Sequence, residues 1–159
     1  MWAFANGGDT FAATAFTSYG AFWLSYAALA IPWFGIADGY GDTPHGAGVF
    51  SHAIAIYLLG WTIFTLLMFV ASTRTSRALC LLFALVALTL TLLTIAQFGH
   101  FLQVHRAGGI VGILTAAVAW YTALAELLGS QLHPLFALPL GHTSMPAAMA
   151  LDSQDIEAQ

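Results

Sequence analysis

Thr10, Thr14, Thr17 and Ser18 recur at i, i+4, i+7 and i+8 within GGDTFAATAFTSYGAFWLS, residues 7 to 25. On a helix that spacing gathers the hydroxyls on one face, which Ala21 and Ser25 extend. Such groups can bond back to the carbonyls of their own helix and let helices approach. Alternatively they can line a path that solvates a polar solute. No Lys or Arg lies within the apolar runs of this chain, so a buried anion would find no cation to hold it tightly. A lining of hydroxyls and aromatic rings binds weakly and releases quickly, as conduction requires. From the residues alone it suits a small carboxylate or a neutral acid, and equally glycerol, water or ammonia.

Other chemistry finds little footing. No HExxH, CxxC or convincing Ser–His–Asp order is present, and Cys80 stands alone in an apolar run, so neither an enzyme nor a metal site is expected. Thr91 and Thr94 lie one turn apart, with Thr89 on another face, and Thr115, Tyr121 and Thr122 follow; each singly reads as structural. Gly108, Gly112 and Ala116 form a small-xxx-small ridge suited to close helix packing. His45, His52, His100 and His105 cluster near one set of run ends, and His133 and His142 near the other. They read as interfacial histidines with wet tips; a haem-binding four-helix redox protein ligated near His52 and His100 is the alternative.

The elements that must position these groups follow from composition. Of 159 residues, 60% are hydrophobic and 6% charged, against about 25% charged in a soluble domain. Ten charges cannot cover a water-facing surface, so lipid is the expected solvent. Four apolar runs, about 11–34, 52–71, 78–98 and 107–128, are each long enough at about 1.5 Å per residue to cross a core of about 30 Å. Only helices satisfy the backbone there, so an all-α polytopic membrane protein is expected. Residues 1–142 form the helical domain and 143–159 a disordered cytoplasmic tail. Most charges fall between the runs. Arg74 and Arg77 place the second connection, and with it the C-terminus, in the cytoplasm; Arg106 votes the other way. A net charge of −4 with no basic run leaves no nucleic-acid footprint.

The opening stretch also resembles a block of the acetate uptake transporter family, the succinate–acetate permeases. There a Gly-Asn-Thr-Phe is followed by Thr-Ala-Phe-x-Ser-Tyr-Gly and then Phe-Trp. Gly8, Thr10, Phe11, Thr14, Ala15, Phe16, Ser18, Tyr19, Gly20, Phe22 and Trp23 match it, with Asp9 in place of the Asn. GWTIFTLLMF at 60–69, AWYTALAELLG at 119–129 and LPLGH at 138–142 resemble later blocks.

The resemblance implies transport of acetate, and of succinate in some members, proton-coupled or channel-like, across a plasma membrane, here a bacterial inner membrane. It implies a homohexamer of six-helix protomers, needing only substrate, protons and the lipid bilayer as partners and no cofactor. With the hydroxyl stripe, Thr14, Phe16, Thr17, Ser18 and Tyr19 are expected along the substrate pathway, and the resemblance puts Tyr19 at an aromatic constriction approached by Val86 and Ala119. Glu126 matches an acidic position at a helix end and is a candidate for proton coupling. Two helices and an Asn-Pro-x-Pro-Leu-Gly signature precede the first block in the family, and here Met1-Trp2-Ala3-Phe4 resembles the end of the second of them. A truncated, non-transporting remnant or assembly subunit is therefore the alternative expectation.

Overall fold

A computed structural model describes residues 10–41 and 45–129; the expectations for the 143–159 tail, for LPLGH and for His133 and His142 lie outside them. The described residues form five α-helices and a 3-10 turn, with no strand. Helix α1 spans Thr10–Ala30, a 3-10 turn Pro32–Phe34, α2 Asp38–Gly41, α3 Gly46–Ser72, α4 Arg77–Gly99 and α5 Leu102–Gly129.

The helix ends follow from local chemistry. The first run was expected to stay helical to Phe34, but α1 stops at Ala30. Pro32 disfavours helical backbone at Ile31, which is extended at φ −80, ψ 116. The chain then turns once, and Gly35, at φ 62, closes the turn by donating to the Pro32 carbonyl at 2.9 Å. Helix α3 starts at Gly46 and α5 at Leu102, each several residues ahead of the apolar runs expected at 52 and 107. Polar residues at a bilayer surface can extend a helix that an apolar stretch only begins to mark. Ser76 caps α4, its Oγ accepting the Leu79 N–H at 3.2 Å. His100 ends α4 in the left-handed region, at φ 53 and ψ 31, with its N–H on the Ala96 carbonyl.

Three helices, Gly46–Ser72, Arg77–Gly99 and Leu102–Leu128, are long and apolar enough to cross a membrane, with mean hydropathies of 2.2, 2.6 and 1.7. Helix α1 has the length, at 21 residues, but its hydroxyls lower its hydropathy.

The long helices make an open row, with α1 beside α3, α3 beside α4 and α4 beside α5. The backbones of α1 and α5, and of α3 and α5, do not approach within 8 Å. Between α3 and α4, Thr62 and Thr94 meet at 3.5 Å, each hydroxyl donating to the carbonyl four residues back. Ser51 crosses the same interface to the carbonyl and side chain of Gln97, both at 2.8 Å. Between α4 and α5, the expected glycine ridge is the contact. Gly108 is buried, and a Cβ there would stand 3.0 Å from a Leu93 methyl. Gly112 lies against Thr89, whose hydroxyl is 3.2 Å from that of Thr115.

Helix α1 is held differently. Large rings, rather than close backbones, join it to the row. Phe11, Ala15 and Tyr19 pack with Met68, Phe64 and Phe83, and Phe22 and Tyr26 with Tyr57, Leu58, Trp61 and Leu90.

Candidate functional site

Because rings space α1 from α3, a groove opens beside them. It has a volume of about 560 Å³ and is lined by Thr17, Ser18 and Ala21 of α1 and by Ile56, Tyr57, Gly60, Trp61 and Phe64 of α3. Tyr57, Trp61 and Phe64 fall at i, i+4 and i+7, one face of α3. Phe22 stacks on Tyr57, with centroids 6.0 Å apart and planes 13° from parallel, and meets Trp61 edge to face at 5.1 Å. Gly60 contributes no side chain, and nothing stands within 4 Å of where its Cβ would be.

The hydroxyls of the stripe divide into two kinds. Thr14 donates to the Thr10 carbonyl at 2.8 Å. Ser25 bonds to the Ala21 and Phe22 carbonyls and meets the Tyr57 hydroxyl at 2.6 Å. Threonines on the other long helices follow the same pattern: Thr62, Thr65, Thr89, Thr91, Thr94, Thr115 and Thr122 all bond back into their own helix. Thr17 and Ser18 take no hydrogen-bond partner among the described residues, and both face the groove. Thr17 is exposed and Ser18 half-buried along the open groove, so both hydroxyls are free to bond whatever enters it.

Tyr19 sits behind the ring wall instead of in the groove. Its hydroxyl lies 2.8 Å from Thr65 Oγ1. The Thr65 hydrogen is already on the Trp61 carbonyl at 2.7 Å, so Tyr19 is the donor. The Trp61, Phe64 and Phe83 rings surround it, with centroids at 6.2, 5.9 and 5.9 Å.

The other residues expected on the pathway are dispersed. Phe16 is 73% exposed on a different face of α1. Val86 packs from α4 against the Phe22, Leu58 and Leu90 cluster. Ala119 is half-buried on α5, a helix whose backbone does not approach α1. Glu126 is exposed near the end of α5. The α3 wall was not among the expected site residues, although the spacing of Tyr57, Trp61 and Phe64 marks one aromatic face.

His52 and His100, expected as interfacial residues or haem ligands, meet edge to face at 5.8 Å. Both are exposed, away from the apolar slot that a haem plane needs. No cluster of three or more metal-ligating side chains occurs among the described residues.

Residues 1–146 match the GPR1/FUN34/yaaH family. The chain belongs to this family. Accumulation of dyads protein 2 of Saccharomyces cerevisiae is 44% identical over 131 residues, covering 82% of this chain and 45% of that protein. The succinate-acetate/proton symporter SatP of Escherichia coli K12 is 36% identical over 138 residues, covering 86% and 68%. The structure of the bacterial acetate channel SatP superposes with a TM-score of 0.72 at 31% identity, covering 87% of this chain and 71% of that one. The helical membrane fold expected from composition is thus the family's fold. The chain spans about half the length of the first curated relatives it matches, at 45% and 47%, and about two thirds of the E. coli symporter.

Proposed function

We propose that this chain provides part of a membrane pathway for acetate and related short carboxylates, with succinate as a larger candidate. The observation that carries the reading is the pair of unpartnered hydroxyls, Thr17 and Ser18, facing an aromatic-walled groove without a cation in its lining. A carboxylate there gains two hydroxyl donors and ring edges, enough to offset part of its lost hydration and too little to trap it. The names of the relatives, a succinate-acetate/proton symporter and an acetate channel, agree with that chemistry.

In this reading Tyr19 sets the position of the wall, and Thr14, Phe16, Val86 and Ala119 act around the path rather than in it. Glu126 is the candidate for proton coupling, because it matches an acidic position at the family's helix end. The protein resides in a plasma membrane, a bacterial inner membrane by resemblance, with its C-terminus in the cytoplasm, as Arg74 and Arg77 favour. The open helix row leaves apolar faces on α3 and α5, including Ile63, Leu67, Ile113 and Trp120. These faces are available to neighbouring protomers of a homohexamer as well as to lipid.

The test is labelled-acetate flux into liposomes containing the chain. Thr17→Val with Ser18→Ala is expected to lower the flux several-fold, and Thr14→Val, whose hydroxyl serves its own helix, to leave it unchanged. An undiminished flux in the double variant refutes the assignment. Flux no faster than in protein-free liposomes identifies a non-transporting subunit.

A further inference from the structure

A histidine pair joins the start of α3 to the α4–α5 connection. Three observations bear on it. First, the His52 and His100 rings meet edge to face with centroids 5.8 Å apart. Two imidazoles bound to one tetrahedral metal through bonds of about 2.0–2.1 Å hold their centroids roughly 5 Å apart, close to the separation of this pair.

Second, His52 is already set as a ligand. Its Nδ1 lies 2.7 Å from the Gly48 carbonyl oxygen. A carbonyl only accepts, so Nδ1 carries the hydrogen and the neutral ring presents a bare lone pair at Nε2. Metal-bound histidines are commonly oriented in this way, by a second-shell bond from the other ring nitrogen to a backbone carbonyl. Phe98 stands 5.8 Å from the same ring and restricts its swing.

Third, His100 occupies a left-handed position, at φ 53, that a glycine would adopt without cost. A β-carbon there costs roughly 1–2 kcal/mol. Non-glycine residues held in this region concentrate at functional sites, and here the strained position carries the second imidazole.

We propose that His52 and His100 form a binding site for a borderline divalent cation, zinc or copper(II), clamping α3 to the α4–α5 connection. Waters complete the coordination, since no third ligand joins the pair among the described residues. The site is therefore exchangeable and open, unlike a closed structural zinc site. It is independent of the transport reading.

The experiment uses the tag-free chain in detergent micelles, with copper(II) as the spectroscopic probe and zinc as competitor. One copper per chain showing nitrogen couplings from two imidazoles, displaced by zinc, is the expected result. His52→Gln and His100→Asn should each abolish the two-imidazole signature; Asn tolerates the left-handed backbone, so the α4 end is retained. His45→Gln and His105→Gln should leave it intact. A second measurement needs no variant: zinc should protect His52 and His100 of the parent chain from diethylpyrocarbonate, read by mass spectrometry. A two-imidazole signal that survives either His52→Gln or His100→Asn, or absence of zinc protection at the two rings, overturns the proposal.

Discussion

Tyr19 separates a strut from a gate, and Tyr19→Phe is the change that tells them apart. The phenol donates to Thr65 Oγ1 at 2.8 Å, and Thr65 is fully buried at 0% exposure. Removing the hydroxyl leaves the Thr65 oxygen with one unanswered lone pair but keeps its own bond to the Trp61 carbonyl at 2.7 Å. The ring stays among Trp61, Phe64 and Phe83. Interhelical hydrogen bonds within membrane proteins average about 0.6 kcal/mol and reach about 1.7, and a buried neutral bond contributes about 0.5–1.5 kcal/mol in general. The expected loss is therefore about 1 kcal/mol, roughly fivefold in the unfolding equilibrium. Tyr19→Ala also removes the half-buried ring and should cost more, up to about 3 kcal/mol, the low end for a fully buried aromatic.

The assay is reversible unfolding in mixed micelles, followed by helical circular dichroism and by tryptophan fluorescence. A cycle with Thr65→Val isolates the pair. A coupling energy within about 0.3 kcal/mol of zero, the usual limit of additivity, refutes the bond as an energetic link between α1 and α3. Acetate flux in the same variant then assigns the role. A strut predicts that Tyr19→Phe loses stability with flux nearly unchanged. Flux that collapses while stability holds returns the phenol to the pathway.

The groove and the helix seams yield further outcomes. Gly60→Val places a branched side chain in open space on the groove wall, so folding should survive while flux falls, more for succinate than for acetate; equal rates for both variant and parent contradict the groove as the path. Gly108→Ala brings a methyl to 3.0 Å from Leu93, whereas Gly112→Ala meets Thr89 at an ordinary 3.5 Å. Inside a helix Ala is favoured over Gly by about 0.5–1 kcal/mol, so the second should stabilise by about that much, while overpacking against Leu93 cancels the gain in the first, both measured by the same unfolding assay. Ser76→Ala removes the α4 cap and should cost about 1 kcal/mol. Glu126→Gln should flatten the pH dependence of uptake if this carboxyl couples protons; an unchanged profile removes it from that role.

The sequence made the fold class plain because composition alone decides the solvent, and lipid admits few backbone forms. The glycine ridge on α5 was equally legible, since small-xxx-small spacing has a direct packing meaning and Gly108 and Gly112 do lie against α4. Helix ends were less legible. Apolar runs mark where lipid begins, whereas α3 starts back at Gly46, through Ser51, and α5 at Leu102, through Gln103, His105 and Arg106. The stripe on α1 was visible as a periodicity, but periodicity cannot say which hydroxyls are free. That depends on rotamers: Thr14 turns back to its own carbonyl, while Thr17 and Ser18 face the groove.

Which residues spread α1 from α3 could not be read from either helix alone. The opening between them exists because the small residues of α1, Ala21 and Ser18, lie beside its ring-bearing face. Phe22 and Tyr26 meet Tyr57 and Trp61 at centroid separations of 5.1 to 6.4 Å. A helix pair packed on alanine and glycine approaches to about 8 Å between axes, whereas bulky contacts hold axes farther apart. On the ring side the gap is filled; on the small-residue side it stays open, and the two unpartnered hydroxyls stand there. The same alternation of large and small residues along α1 thus anchors the helix and leaves space beside it. Closing that space by replacing Phe22 with alanine should therefore impair flux as well as stability, because without the ring the helices can settle together and the groove narrows.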